Sequence, residues 1–150
     1  MIACVEVGLI IPDNEARTAL ATLQRLGVAL GGLERADLYL CEISGDATDE
    51  LVATLRGIET VFNPNKHAIR VRPVNAEPGE VWVDEADAIR EPVAQPIRIA
   101  GREIAGLRTF ERFVAWRLWA APGVAADTAP VGGATDLLLC NPAFQIAALA

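Results

Sequence analysis

The chain is poor in the residues on which most enzyme chemistry depends. Among its 150 residues there are one histidine, three cysteines and 5% aromatic residues. It has no Cys-x-x-Cys pair and no cysteine–histidine cluster, so the sequence predicts no metal site and no cofactor. Cys4, Cys41 and Cys140 each lie within an apolar run. Such scattered cysteines are typical of small buried side chains in a cytoplasmic protein.

Clusters of basic residues and long apolar runs are also missing. The chain has 13 basic and 20 acidic residues, for a net charge of −7. Phosphate backbones and anionic membranes are bound by clustered Lys and Arg, so we expect neither nucleic acid nor membrane as a partner. No apolar run approaches the ~18 residues of a membrane span. The first residues carry Glu6 and no basic segment, so we expect no secretory signal and predict a cytoplasmic protein.

The familiar catalytic and nucleotide-binding motifs do not occur. The sequence contains no glycine-rich phosphate loop, no GxSxG, no HExxH and no EF-hand pattern. Any histidine-dependent catalysis would rest on His67 alone, and that residue alternates with Ile69 and Val71 as a core-facing residue would. We therefore predict no catalytic residues and favour a protein without intrinsic catalysis, while an enzyme using His67 stays open.

The periodicity of the first half predicts an α+β unit. Residues 2–11 form an apolar strand, and Asp13 caps a helix over residues 14–26. An extended segment at 33–43 follows, then a helix over residues 48–62 and a strand over residues 66–72. This order predicts a ferredoxin-like (split βαβ) unit, with an antiparallel sheet and both helices on one face.

The second half is separated by a linker rich in proline at residues 73–80. We predict two domains, residues 1–75 and residues 79–150, the second a small α+β unit packed against the first. Asn141-Pro142 repeats the Asn63-Pro64 pair. This leaves open whether the second unit is a repeat of the first.

Within this second unit we expect a strand at residues 81–83, a hairpin over 96–104 with its turn at Ala100-Gly101, and a helix over Leu107–Ala121. Strands at residues 136–140 and 143–149 complete it. Three large aromatic side chains of the predicted helix, Phe113, Trp116 and Trp119, are candidates for an interface or for ordinary core.

One polar cluster follows the second predicted helix. Asn63, Asn65, Lys66 and His67 lie together at a loop tip, where a rigid scaffold could present them to a ligand. The same residue types serve in ordinary turns, and a structural histidine is the simpler interpretation of His67.

The first 73 residues resemble a known family. The loop Asp13-Asn14-Glu15-Ala16-Arg17 stands where that family has Asp-Pro-Gln-Gly-Arg, with Asp13 and Arg17 matching. Leu26-Gly27 is similar to its helix end, and Val61-Phe62-Asn63-Pro64 to its helix-ending Asn-Pro. Ala36-Asp37 departs from the family's Gly-Lys. The family is the PurS-type small subunit of phosphoribosylformylglycinamidine synthase, an enzyme complex of purine biosynthesis.

The resemblance implies a non-catalytic, ferredoxin-like subunit that oligomerises by joining sheets and helps to assemble the synthetase and glutaminase subunits. Our first hypothesis is therefore an assembly or accessory subunit that forms a dimer or higher oligomer. The alternative is an ACT-like regulatory module that binds a small metabolite near Asn63–His67.

Overall fold

The structure is a computed structural model that describes residues 1–45, 47–84, 89, 97–122 and 147–149. In chain order its elements are β1 (Ile2–Leu9), α1 (Asn14–Arg25), β2 (Leu30–Ile43), α2 (Thr48–Arg56), β3 (His67–Arg72), β4 (Glu80–Asp84), β5 (Arg98–Ile99), β6 (Arg102–Glu103), β7 (Leu107–Ala120) and β8 (Ala147–Leu149).

The strands hydrogen-bond in the order β3-β1-β2-β7-β4-β8, and β5 pairs with β6. The pairs β1–β3, β4–β8 and β5–β6 are antiparallel. The N-terminal ammonium of Met1 donates to the Ile43 carbonyl at 3.1 Å, and the Ile43 N–H donates to the Met1 carbonyl at 2.9 Å. This exchange is the pattern of an antiparallel β1–β2 pair. The expected α+β class is confirmed, and the arrangement is consistent with a ferredoxin-like fold.

Helix α1 begins and ends at the residues that its sequence indicates. The Asp13 carboxylate accepts hydrogen bonds from the backbone N–H groups of Glu15 and Ala16, at 3.0 and 3.1 Å. Such bonds satisfy donors that have no partner within the helix. Gly27 then adopts a φ of 90°, a left-handed conformation that glycine permits after a helix. The predicted helix over residues 14–26 is confirmed to within one residue.

Helix α2 is shorter than predicted. It ends at Arg56, and Gly57 occupies the C-cap position. The chain continues as turns, in which the N–H groups of Ile58 and Val61 donate to carbonyls three residues earlier. Ile58 and Val61 are still buried, so the apolar spacing persists without the helix that it suggested. Residue 46 lies outside the described residues, and Thr48 is the first helical residue, as predicted.

The chain forms two compact units, each assembled from three sequence segments. The first draws on residues 1–11, 37–74 and 87–113, and the second on residues 12–36, 75–86 and 114–150. Both units therefore use both halves of the sequence. The predicted domains, residues 1–75 and 79–150, were meant as segments that fold independently. This division stays a prediction.

Each unit has its own apolar core, and each core includes one helix. The first unit packs α2 against strand residues, and its buried members are Ala3, Val5, Val7, Tyr39, Cys41, Ile43, Leu51, Leu55, Ile58, Val61, Ile97, Ile99, Ile104, Leu107 and Phe110. The second packs α1, and its buried members are Ala16, Ala19, Leu23, Leu30, Leu33, Val81, Val83, Trp116 and Leu118.

The predicted helix over Leu107–Ala121 is wrong, because this segment is strand β7. Its apolar residues fit a helical stripe, but Val114, Trp116 and Leu118 also alternate with period two. Strand β7 is hydrogen-bonded to β2, which is equally long at 14 residues. Aromatic and β-branched side chains favour such a strand, and pairing along a long neighbour outweighs a modest helical preference.

The hairpin is confirmed, with its turn at the predicted residues. Ala100 and Gly101 have φ values of 51° and 77°, the left-handed pair that a two-residue hairpin turn requires. The strand at residues 81–83 is confirmed within β4. Of the terminal strands, residues 147–149 form β8, whereas residues 136–140 and Asn141-Pro142 lie outside the described residues.

Cys4 and Cys41 are buried and form no disulfide with each other, as expected for small apolar side chains. Burial, with a smaller contribution from nearby Cys4, raises the pKa of the Cys41 thiol to about 12. Since the thiolate is the reactive form, this shift lowers the reactivity of Cys41 at neutral pH. Cys140 lies outside the described residues.

Candidate functional site

The four predicted polar residues form one closed turn between α2 and β3. The backbone N–H groups of Lys66 and His67 donate to the Asn63 carbonyl at 2.9 and 2.8 Å. In return, the Asn63 N–H donates to His67 Nδ1 at 2.9 Å, and the Asn65 N–H donates to Asn63 Oδ1 at 2.9 Å. Because Nδ1 accepts this bond, the neutral ring carries its proton on Nε2. Asn63 and His67 therefore stabilise the turn itself.

Aromatic and cationic groups flank this turn. The Phe62 and His67 rings lie 6.2 Å apart, and the Arg56 guanidinium lies 5.9 Å from the centre of the Phe62 ring. Asn65 and Lys66 are exposed, whereas Asn63 and His67 are half-buried. Of the four residues, Asn65 and Lys66 are the ones presented to solvent.

The three aromatic candidates for an interface have different environments. Trp116 is buried in the core of the second unit, and Phe113 is half-buried. Trp119 is 47% exposed, and its ring lies against Gly32, where an added Cβ would come within 2.7 Å of it. Trp119 is therefore the member of this set with the most surface open to a partner.

A buried ion cluster that we did not predict lies in the first unit. Glu6 of β1 stands opposite Arg70 of β3 in the strand register. Its carboxylate accepts from Arg70 Nε and Nη2 at 3.1 and 3.2 Å, and from Arg72 Nη1 at 2.9 Å. The Glu6 and Arg72 side chains are 8% and 3% exposed, and that of Arg70 is 55% exposed.

A second buried carboxylate lies in the second unit. Glu80, the first residue of β4, is 1% exposed. It accepts a short hydrogen bond from the Trp82 indole and another from the Glu77 backbone N–H at 3.3 Å. The Arg117 guanidinium lies 3.9 Å from its Oε2 atom. This arrangement holds β4 against β7 through polar contacts.

Only one of these two carboxylates left a signal in the sequence. Glu6 is a single charge inside an otherwise apolar strand, which indicates a partner on a neighbouring strand. Glu80 stood in the predicted linker, where a glutamate is ordinarily solvated. Its burial follows from the strand that begins there.

The loop residue Asp13 is part of a third polar group. Arg35 of β2 donates from Nε to the Asp13 carboxylate at 2.8 Å and lies 2.6 Å from the Glu15 carboxylate. Its guanidinium is 5.9 Å from the centre of the Trp116 ring. Arg35 therefore ties the N-terminus of α1 to the strands of the second unit. Arg17, the other residue that matches the family, is exposed.

Replacing Asp13 with asparagine is expected to lower stability at neutral pH by about 1 kcal/mol. Burial alone would raise the pKa of Asp13, but the Arg35 hydrogen bond and charge and the N–H groups of Ala16 and Glu15 outweigh it and lower the pKa. The ionised carboxylate therefore stabilises the fold above its ordinary pKa of 3.8, and this contribution is lost as the pH falls through the lowered value. Urea unfolding across acidic and neutral pH should show the wild-type advantage disappearing in acid. A difference that stays constant would contradict this account.

Within the part of the chain that the structure describes, no group of three or more His, Cys, Asp or Glu residues is placed to hold a metal ion. None of the described helices has the length and apolar character needed to cross a membrane.

Comparison of the chain with family models, with curated proteins and with solved structures finds no match in any of the three.

Proposed function

We propose that this protein is a non-catalytic assembly or accessory subunit that self-associates in the cytoplasm. The observation that carries the proposal is the position of β3, which ends the strand order and pairs with β1 alone among the described strands. A strand at the end of a sheet presents backbone donors and acceptors to any chain that can add a strand.

Three polar groups that could act as bases support this role because they serve the fold. Glu6 and Glu80 are buried and bonded within their sheets, and His67 Nδ1 closes a turn. A catalytic base needs a ring nitrogen or carboxylate within reach of a substrate. These groups are instead directed to neighbouring strands and backbone.

The similarity to the small subunit of phosphoribosylformylglycinamidine synthase suggests which partners to test. In this proposal the oligomer contacts the synthetase and glutaminase subunits of that purine-pathway complex. The support lies in the β-α-β-α-β order of the first 72 residues and in the Asp13 and Asn63-Pro64 positions.

Light scattering over a wide range of protein concentration tests the assembly role. We expect a dimer or higher oligomer whose population grows with concentration. A strict monomer at the highest concentration would contradict self-association, and a mixture with purified synthetase and glutaminase subunits that remains unbound would contradict the purine-pathway partners.

A second candidate, an ACT-like module for a small metabolite, is favoured by one observation. The Arg56–Phe62–His67 row lies beside exposed Lys66, and together they offer cations and aromatic rings to an anionic, planar ligand. A thermal-shift screen with metabolites distinguishes this candidate, because a bound ligand raises the melting temperature. The shift should vanish in Lys66→Ala and survive in Arg25→Ala, which alters an exposed basic residue in the other unit.

A further inference from the structure

The outer edge of β3 has backbone groups that no other described strand uses. The Ile10 N–H donates to the Lys66 carbonyl at 2.8 Å. This bond determines which residues of β3 direct their backbone N–H and C=O groups towards β1. In an antiparallel pair, bonded and non-bonded residue pairs alternate. In this register the residues directed towards β1 are Ala68, Arg70 and Arg72. The N–H and C=O groups of Ile69 and Val71 therefore point away from β1.

The bonds between β1 and β2 lead to the same assignment of backbone directions in β3. Met1 exchanges its backbone bonds with Ile43 of β2, so odd-numbered residues of β1 face β2 and even-numbered ones face β3. Ile69 and Val71 stand opposite the odd-numbered Val7 and Val5. Their outward direction thus follows from both neighbours of β1.

Edge strands in natural proteins are usually protected by shortness, proline, bulges or charged side chains. Strand β3 has six residues, contains no proline and pairs with β1 without a bulge. Its two arginines are bonded to Glu6 on the neighbouring strand, so both guanidinium groups reach towards β1. Strand β8, at the other end of the strand order, has only three residues.

The side chains at this edge suit an apolar contact. Ile69 and Val71 share one face of β3, where Ile69 packs against the core of the first unit and Val71 is 49% exposed. Cross-strand pairs of β-branched residues stabilise antiparallel sheets. A partner strand bearing such residues would cover Val71.

We propose that the partner is a second copy of this chain, whose β3 pairs with β3 of the first in antiparallel orientation. This inference rests on the proposed assembly function and names its contact. A two-fold axis brings the same edge to itself, so the outward donors and acceptors of Ile69 and Val71 meet their own counterparts. In each copy the Glu6 carboxylate offsets the positive charge of Arg70 and Arg72, which reduces repulsion between the two edges. The β3–β3 pairing is limited at one end by Pro73, which has no N–H. At the other end it is limited by the hydrogen-bonded turn before His67.

Replacing Val71 with proline tests the contact. The Val71 N–H points outward, so proline removes an edge donor and leaves the β1–β3 bonds in place. We expect the dissociation constant of the oligomer to rise roughly thirtyfold, from two symmetry-related hydrogen bonds lost. Sedimentation equilibrium measures this change, and the circular dichroism spectrum should stay unchanged.

Two variants serve as matched comparisons for the proline. Val71→Ala keeps the N–H and is expected to change the dissociation constant only a few-fold. Val71→Lys keeps the backbone and places like charges against each other across the two-fold axis, so it should separate the copies even if the proline variant fails to fold.

The outcomes separate the contact from the function. Oligomers that persist unchanged in folded Val71→Pro or in Val71→Lys would overturn the β3 contact while leaving an assembly function. A wild-type chain that is monomeric at every concentration would contradict the assembly function itself. Loss of association in both variants, with Val71→Ala close to the wild type, is the result that we expect.

Discussion

Replacing Glu6 with alanine is expected to lower the free energy of unfolding by about 3 kcal/mol, the scale of a broken buried ion pair. The Arg72 side chain is 3% exposed, and the carboxylate 2.9 Å from it would be removed while its own charge stays buried. Urea unfolding followed by circular dichroism gives the change directly.

Arg70→Ala is the matched control, because it removes the other arginine bonded to the same carboxylate. The Arg70 side chain is 55% exposed, so its ion pair is screened by water and its loss should cost less than about 1 kcal/mol. Equal losses in the two variants would show that burial does not set the strength of this cluster.

Replacing Glu80 with alanine is expected to destabilise the protein by about 3 kcal/mol. The change removes the acceptor of the Trp82 indole N–H and the carboxylate beside Arg117, both at a residue that is 1% exposed. Denaturant unfolding monitored by tryptophan fluorescence reports both the stability and the altered surroundings of Trp82.

Glu103→Ala is the comparison for Glu80. Glu103 pairs with Arg98 at 3.8 Å, and both side chains are more than half exposed, so the change should stay within about 0.5 kcal/mol. A Glu80→Ala variant as stable as Glu103→Ala would mean that the buried carboxylate contributes nothing to the link between β4 and β7.

The first half of the fold follows closely from local sequence signals. Asp13 and Gly27 mark the two ends of α1, and alternation over residues 66–72 marks β3. These signals act through neighbouring residues, so the sequence alone carries them. The end of α2 at Arg56 was harder to predict, because Ile58 and Val61 keep helical spacing while the chain turns.

Strand β7 shows where local signals do not suffice. Its identity depends on hydrogen bonds to β2, and the contacts at the two ends of that pair join Ser44 to Gly106 and Ala29 to Ala121. These residues are distant in sequence, so no window of a few residues contains the information. Glu80 was misjudged for the same reason, since its burial depends on neighbouring strands.

In the candidate site, too, contacts between neighbouring residues were predicted and contacts between distant residues were not. The turn from Asn63 to His67 was predicted as one cluster because its residues are contiguous. The partnership of Glu6 with Arg70 and Arg72 joins residues more than 60 positions apart. Once β1 and β3 are paired, however, the alternation of Arg70 and Arg72 with Ile69 and Val71 places both arginines on the face of Glu6.

Amide hydrogen exchange, measured residue by residue as a function of protein concentration, tests self-association through β3 most directly. We predict that the amide of Arg70, whose N–H faces β1, is protected at every concentration. Protection of Ile69 and Val71 should rise as the protein associates, because their N–H groups then bond to a second copy. Rapid exchange of Ile69 and Val71 in solutions where sedimentation records an oligomer would contradict the account.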